Sequence, residues 1–399
     1  MNNEMKPFGL ARKPLVHSMA VLGLCGISAS THAAEWDVKF GGYYNAIAAY
    51  ASSDPADVSG TDFDGVDVNT DGEVFFLPSI TLDNGIKISA NIQLEAESGG
   101  SGDRIDEAFI HVNGSFGTVE VGSTNSAGYK MHYGAPDLAL LSGDDPSSIA
   151  YVSEYIPFDG SISDGATSAR YGDDVFRATL GSTHLETNAN NDAQRITYFT
   201  PRFAGFQLGV SYARDGDEDN RVRDCNFGDC KYFDVAANYV QSFGDIDLGV
   251  SGRWGIAESG ETFGNPATGD DPTVTGFGIN LGFAGVTVGG SWAEQNDSGA
   301  SDGEAYDVGV SYDSGPWQYS FTYFEGENVD NEHAFVSDQH DEELSAFLIS
   351  ANYQIHENIK LNLFGAYLDF DEDIGDAGVG SRGNGLDGFV IGTGIGLSF

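Results

Sequence analysis

Basic residues are scarce in this sequence: 18 lysines and arginines face 61 aspartates and glutamates. So acidic a chain repels a phosphate backbone, which excludes nucleic acid as a partner. Cysteine is scarcer still. Cys25, Cys225 and Cys230 are the only three, and two thiols without nearby histidines make an incomplete zinc site. Past the first thirty or so residues no apolar run reaches the roughly 18 residues of a membrane-crossing helix, so a helical membrane protein is excluded. Hydrolytic machinery is missing as well. His111, His132, His184, His333, His340 and His356 form no metal-binding pair at helical spacing, and no Gly-x-Ser-x-Gly elbow occurs. The chain is therefore expected not to be an enzyme and to require no cofactor.

What is present begins with an export signal over residues 1–33. Lys6, Arg12 and Lys13 supply the basic start, Leu15 to Ile27 the apolar centre, and Ser28 to Ala34 the small-residue exit. Cleavage after Ala33 places Thr31 and Ala33 where small residues are needed, and Leu24 is too bulky for lipid attachment at Cys25. The remaining chain, 34–399, holds 15 basic and 60 acidic residues, a formal charge of −45. In an oxidising compartment Cys225 and Cys230 are an even pair, and a disulfide between them is expected.

From Glu35 to Phe399 the governing pattern has a period of two. Trp36, Val38, Phe40, Tyr44, Ala46, Ala48 and Tyr50 share one parity, with Asp37, Lys39, Gly41, Tyr43 and Asn45 on the other. Each strand so formed has one greasy and one wet face. Short turns are predicted at Asp83-Asn84-Gly85, Asn113 to Gly117, Pro201 to Gly205, Ser242 to Asp245, Ala284-Gly285, Ser314 to Pro316 and Ile355 to Asn358. Between them lie eight longer acidic segments, near 52–72, 98–104, 124–191, 214–230, 257–272, 294–303, 325–343 and 369–384. Seven short turns alternating with eight long loops join sixteen strands. The fold class is all-β, a sixteen-stranded antiparallel transmembrane barrel with short periplasmic turns and long external loops. In lipid every backbone N–H and C=O must be paired, which only a closed sheet of strands achieves. Trp36, Tyr50, Tyr212, Trp254, Trp292, Tyr312, Trp317, Tyr323, Tyr353 and Tyr367 fall near strand ends on the apolar parity, where amphipathic rings suit the headgroup level.

Two segments, EAFIHVNGSFGTVEVGS (Glu107 to Ser123) and RITYFTPRFAGFQLGVSY (Arg195 to Tyr212), resemble the general bacterial porin family in its sixteen-stranded, trimeric form. The last strand, ending on Phe399, extends the likeness to nearly the whole mature chain. The resemblance implies a Gram-negative outer-membrane location, a homotrimer among lipid and lipopolysaccharide, and Phe399 as the signal read by the barrel-assembly machinery. It also implies that the third loop, 124–191, bends inward as the constriction, although this loop is longer than usual for the family and inward-facing bases are sparse. On that basis Asp137, Asp144, Asp145, Glu154, Asp159 and Asp164 are the candidate acidic side of the pore, and Lys39, Lys87, Arg195, Arg253 and Lys360 the candidate basic wall. Opposed charges would create a transverse field. The expected function is a general diffusion porin for small hydrophilic solutes and ions, cation-preferring because acids dominate; the alternative is a channel selective for one nutrient class.

Asp67, Asn69 and Asp71, followed by Gly72, have the alternating oxygen spacing of a calcium loop, but position twelve is Pro78 rather than Glu. A solvated acidic loop is favoured there, with calcium the alternative. Calcium or magnesium could in the same way bridge the external acidic segments around Asp215, Asp217 and Asp219 and around Asp369, Asp371 and Asp373.

Overall fold

A computed structural model describes residues 35–55, 64–96, 105–139, 182–184, 192–216, 230–259, 271–296, 302–330, 340–372 and 385–399. Sixteen strands run in chain order: β1 (Asp37–Pro55), β2 (Asp64–Thr81), β3 (Lys87–Glu95), β4 (Ile105–Gly114), β5 (Gly117–Ser123), β6 (Gln194–Phe199), β7 (Phe206–Asp215) and β8 (Cys230–Phe243), then β9 (Ile246–Glu258), β10 (Thr273–Phe283), β11 (Val286–Asn296), β12 (Gly303–Ser314), β13 (Trp317–Asp330), β14 (His340–His356), β15 (Ile359–Glu372) and β16 (Gly385–Ser398). Among the described residues one short helix, α1 (Ala127–Met131), lies between β5 and β6.

Every strand pairs antiparallel with its sequence neighbours, and β1 pairs with β16, so the sheet has no edge. The seam is completed by the last residue, since Gly42 and Phe399 exchange both backbone hydrogen bonds at 3.0 Å. All seven predicted short turns join strands as expected. Their chemistry is local. At Ala204-Gly205 and Ala284-Gly285 both residues have positive φ, the geometry that matches the twist of a two-residue hairpin.

The period of two sorts the side chains as the sequence implies. Val38, Phe40, Leu208, Phe277, Ile279, Ile349, Leu363 and Ile391 point outward and are exposed, while Asn45, Ser211, Ser251, Asn280, Thr322 and Asn362 point inward and are buried. Rings cluster in two outward belts. Trp317 stacks near Tyr319 and Tyr353 at the short-turn end, and Tyr50 meets Phe389 and Tyr306 meets Tyr323 toward the long-loop end.

The first long segment is shorter than expected. β1 runs to Pro55 and β2 starts at Asp64, so Asp67, Asn69 and Asp71 stand on a strand rather than in a loop. They pair with Ala49, Ile47 and Asn45 and so share the lumen face, while Val66 and Val68 alternate outward. Same-face residues of a strand repeat at roughly 6.6 Å and do not converge on one ion. The loop placement that made these residues a calcium candidate therefore does not hold. Asp215, Asp369 and Asp371 likewise lie on strands, β7 and β15.

Candidate functional site: the barrel interior

Sixteen strands enclose a lumen too wide for side chains to fill, so what enters it decides the site. The chain turns inward directly after β5. Ser126 caps α1 by accepting from Tyr129 N–H at 3.2 Å, and the helix stops at His132, whose backbone is extended. From there the backbone crosses the inner wall strand by strand. Ala127 N–H donates to Ser211 Oγ on β7 (3.2 Å), Tyr133 N–H to Ser251 Oγ on β9 (2.9 Å) and Ala135 N–H to Asp307 Oδ1 on β12 (2.8 Å). Thr322 on β13 donates to the Pro136 carbonyl at 2.9 Å, and Asn352 on β14 and Asn362 on β15 donate to that of Leu138 at 2.8 and 3.3 Å. Each bond contributes about 1 kcal/mol net, and together they set the path of the segment.

Small residues make the approach possible. A Cβ on Gly278 would lie 1.8 Å from the Tyr133 carbonyl oxygen, and one on Gly209 would lie 2.5 Å from Met131 Sδ. The returning residues 182–184 are tied into the same place: Thr183 Oγ1 and Ser291 Oγ both donate to Asp307 Oδ2 at 2.8 Å, and Arg253 Nη2 donates to the Thr183 carbonyl at 2.6 Å.

Charges gather where the segment enters. Lys130 Nζ meets Glu120 Oε2 at 2.8 Å, and His111 Nδ1 lies 3.3 Å from the other oxygen of Glu120. Glu107 accepts from the Thr124 hydroxyl (2.6 Å) and the Asn125 N–H (3.0 Å). Burial by itself would lower the Lys130 ammonium, but the carboxylates of Glu120 and Glu107 outweigh it and hold it above its ordinary value. His132 and His184 meet edge to face at 4.6 Å. Burial, then the Arg253 guanidinium, then His184 push His132 well below the usual imidazole range; burial and Arg253 push His184 down to about 3, although its ring keeps some exposure.

The expected wall bases separate into two groups. All five lie on the lumen parity. Arg195 and Arg253, however, are buried rather than open to water, Arg195 with an Nη1 3.9 Å from Asp234 Oδ2. Lys39, Lys87 and Lys360 stand within the first three residues of β1, β3 and β15, at the short-turn mouth, with Lys39 paired to Asp37 at 3.1 Å. Of the expected acidic side, Asp137 is buried and its Oδ1 accepts from Ala139 N–H at 3.0 Å. Asp144, Asp145, Glu154, Asp159 and Asp164 lie outside the described residues, as does the signal segment. Cys230 is disulfide-bonded; Cys225 is outside the described residues.

Sequence reasoning missed the residues that seat the inward segment: Ser211, Ser251, Asp307, Thr322, Asn352 and Asn362. A signal was available. The wet parity of β7 to β12 is unusually small, reading Gly209, Gly249, Gly276, Gly278, Gly289 and Gly309, and a row of missing side chains marks where another backbone runs.

Comparison with known proteins agrees with this architecture. The sequence profile described as Gram-negative porin matches residues 18–373. A monosaccharide porin of a Halomonas species is 24% identical over 301 residues, covering 68% of this chain and 69% of that protein. A Rickettsia bellii protein is 30% identical over 106 residues, and this match and two to other Rickettsia proteins span only a quarter to a third of those relatives' length. Among solved structures, an anion-selective porin from Comamonas acidovorans superposes with a TM-score of 0.56 at 16% identity, covering 92% of this chain and all of that one. The outer-membrane protein OmpT of Vibrio cholerae superposes at 0.53 with 13% identity, over 91% and 98% of the two chains.

Proposed function

This chain belongs to the Gram-negative porin family, an outer-membrane β-barrel channel, and from that premise we propose that it is a general diffusion porin that prefers cations. The observation that carries the reading is the lumen face of β2 and β3. Asp67, Asp71, Glu73 and Glu95 share that face, with Glu73 directly opposite Glu95. The arginines that could offset them, Arg195 and Arg253, are withdrawn into buried contacts. A passing ion therefore meets the partly exposed carboxylates of Asp67, Asp71 and Glu95 on that wall, a Coulombic bias that weakens as salt screens it.

Reversal potentials across a planar bilayer under a salt gradient test the preference, and a sign favouring chloride over potassium overturns it. Flux of a graded sugar series tests generality: uptake should fall smoothly with solute size. The Halomonas relative's name supports a second reading, a channel selective for one sugar class. Saturable flux of one monosaccharide would favour that reading.

Homotrimer formation, contact with lipopolysaccharide through calcium or magnesium on external carboxylates, and recognition of Phe399 during assembly belong to the same proposal. Phe399 supports the last by its position, exposed directly after the strand that closes the barrel and bonded through its backbone to Gly42.

A further inference from the structure

Burial around the inner wall is uneven, and the unevenness locates the water. From β6 round to β1, lumen-facing residues away from strand ends are almost all buried: Thr197, Asp234, Arg253, Asn280, Ser350 and Ala49 are examples. Among the described residues, β2, β3, β4 and the start of β5 keep the most lumen-facing side chains in contact with solvent, on either side of a buried patch formed by Glu73, Phe75, Gln93 and Glu107. Asp67 and Asp71 do so on β2, Ser89, Asn91 and Glu95 on β3, and Phe109 and His111 on β4. The wet path thus lies against the wall opposite the strands that hold the inward segment.

His111 lies on that wall, partly exposed on the lumen face of β4. It is directly cross-strand to Ser89 on β3 and to Glu120 on β5. Glu120 in turn holds Lys130 of α1, so His111 stands at the height where the inward segment begins to cross. Its side chain is 25% exposed, whereas that of Glu120 is 4% exposed. The other histidines whose side chains are described do not meet the path: His132 and His184 sit in the packed segment and His356 at a short turn. Imidazole is the side chain whose charge ordinarily changes between about pH 5 and 8.

We propose that His111 is a selectivity-determining residue of this pore, placing a switchable positive charge on the lumen wall past which ions move. Several charged groups face it. Glu120 approaches from β5 and is already paired with Lys130 from α1; Glu107 lies buried on the same strand; Lys87, at the start of β3, lies on the same face toward the short-turn mouth; Arg195 on β6 lies beyond Glu120. Because Lys130 occupies one oxygen of Glu120, a proton on His111 adds net positive charge to that wall.

The proposal rests on reading the chain as a conducting pore, and its test separates from that of cation preference. Reversal potentials would be measured in a potassium chloride gradient from about pH 8 to about pH 5 for the full protein and for His111→Asn, His111→Gln and His356→Asn. The wild-type ratio of potassium to chloride permeability should fall about two- to fivefold on acidification. Both His111 variants should lose most of that change, and His356→Asn should keep it. Heat-modifiable gel migration would show that each variant folds. Asp71→Asn should lower the ratio at every pH without altering its slope. A wild-type ratio that does not move, or a slope retained in both His111 variants, overturns the proposal. An anion-preferring wild type whose preference still moves through His111 would overturn the cation reading alone.

Discussion

The inner face of β7 to β12 and the inner face of β2 to β4 follow the same alternating pattern and hold different things. On the first, many inward positions are glycine, serine or alanine, and a stretch of backbone fills the space they leave. On the second, they include Asp71, Ser89, Asn91, Glu95 and His111, whose side chains stay partly open to solvent. Parity decides which way a side chain points, and residue size then decides whether the neighbour is protein or solvent. A barrel interior of this kind is shaped as much by the wall that lacks side chains as by the wall that has them.

The sharpest way to break the contrast is to split the charge pair where the two walls meet. Lys130→Met leaves Glu120 buried without its cation and should cost about 3–5 kcal/mol in denaturant unfolding of the reconstituted protein. The double variant Lys130→Met with Glu120→Gln should cost much less than the two single losses added together, and strict additivity would refute the coupling.

Filling the glycine row comes next. Gly278→Val puts a side chain where the Tyr133 carbonyl now lies and should destabilise by about 1–3 kcal/mol as the inward segment is displaced. Single-channel conductance should become noisier. The same change at Gly65, where a Cβ meets nothing within 4 Å, should leave both stability and conductance near wild type.

Acid sharpens the comparison from the packed side. His132 and His184 have folded-state pKa values below the ordinary 6.5, so the unfolded chain takes up their protons first. Their contribution is complete above about pH 6.5 and is lost as the pH falls toward about 3, by at most about 1.4 kcal/mol per pH unit for each. Unfolding midpoints for His132→Leu between these limits should fall less steeply than those of the wild type, and parallel curves would contradict the assignment. The smallest effect is expected at Asn352→Ala, which removes one donor to Leu138 and should cost about 1 kcal/mol by the same unfolding measurement.

Much of this molecule is legible in the chain because its signals are local. Ile86, Ile88, Ala90 and Ile92 against Lys87, Ser89, Asn91 and Gln93 declare a strand and its two faces within eight residues. Asn84-Gly85 declares the turn before it. The alternation of short turns with long acidic segments then yields sixteen strands and a closed barrel. Val66 and Val68, alternating with Asp67, Asn69 and Asp71, mark that strand in the sequence as well.

The interior was a different matter. Arg195 and Arg253 have lumen parity in the sequence, yet whether they face water depends on what lies over them. That cover comes from far away in the chain: Ala127 meets Ser211, Pro136 meets Thr322, and Leu138 meets Asn362. Backbone pairing and turn preference act between near neighbours, so the amino-acid order alone determined the barrel, its two faces and its membrane. Which inward residues are clamped and which are wet depends on contacts between segments 84 to 224 residues apart, and only the folded chain brings those together.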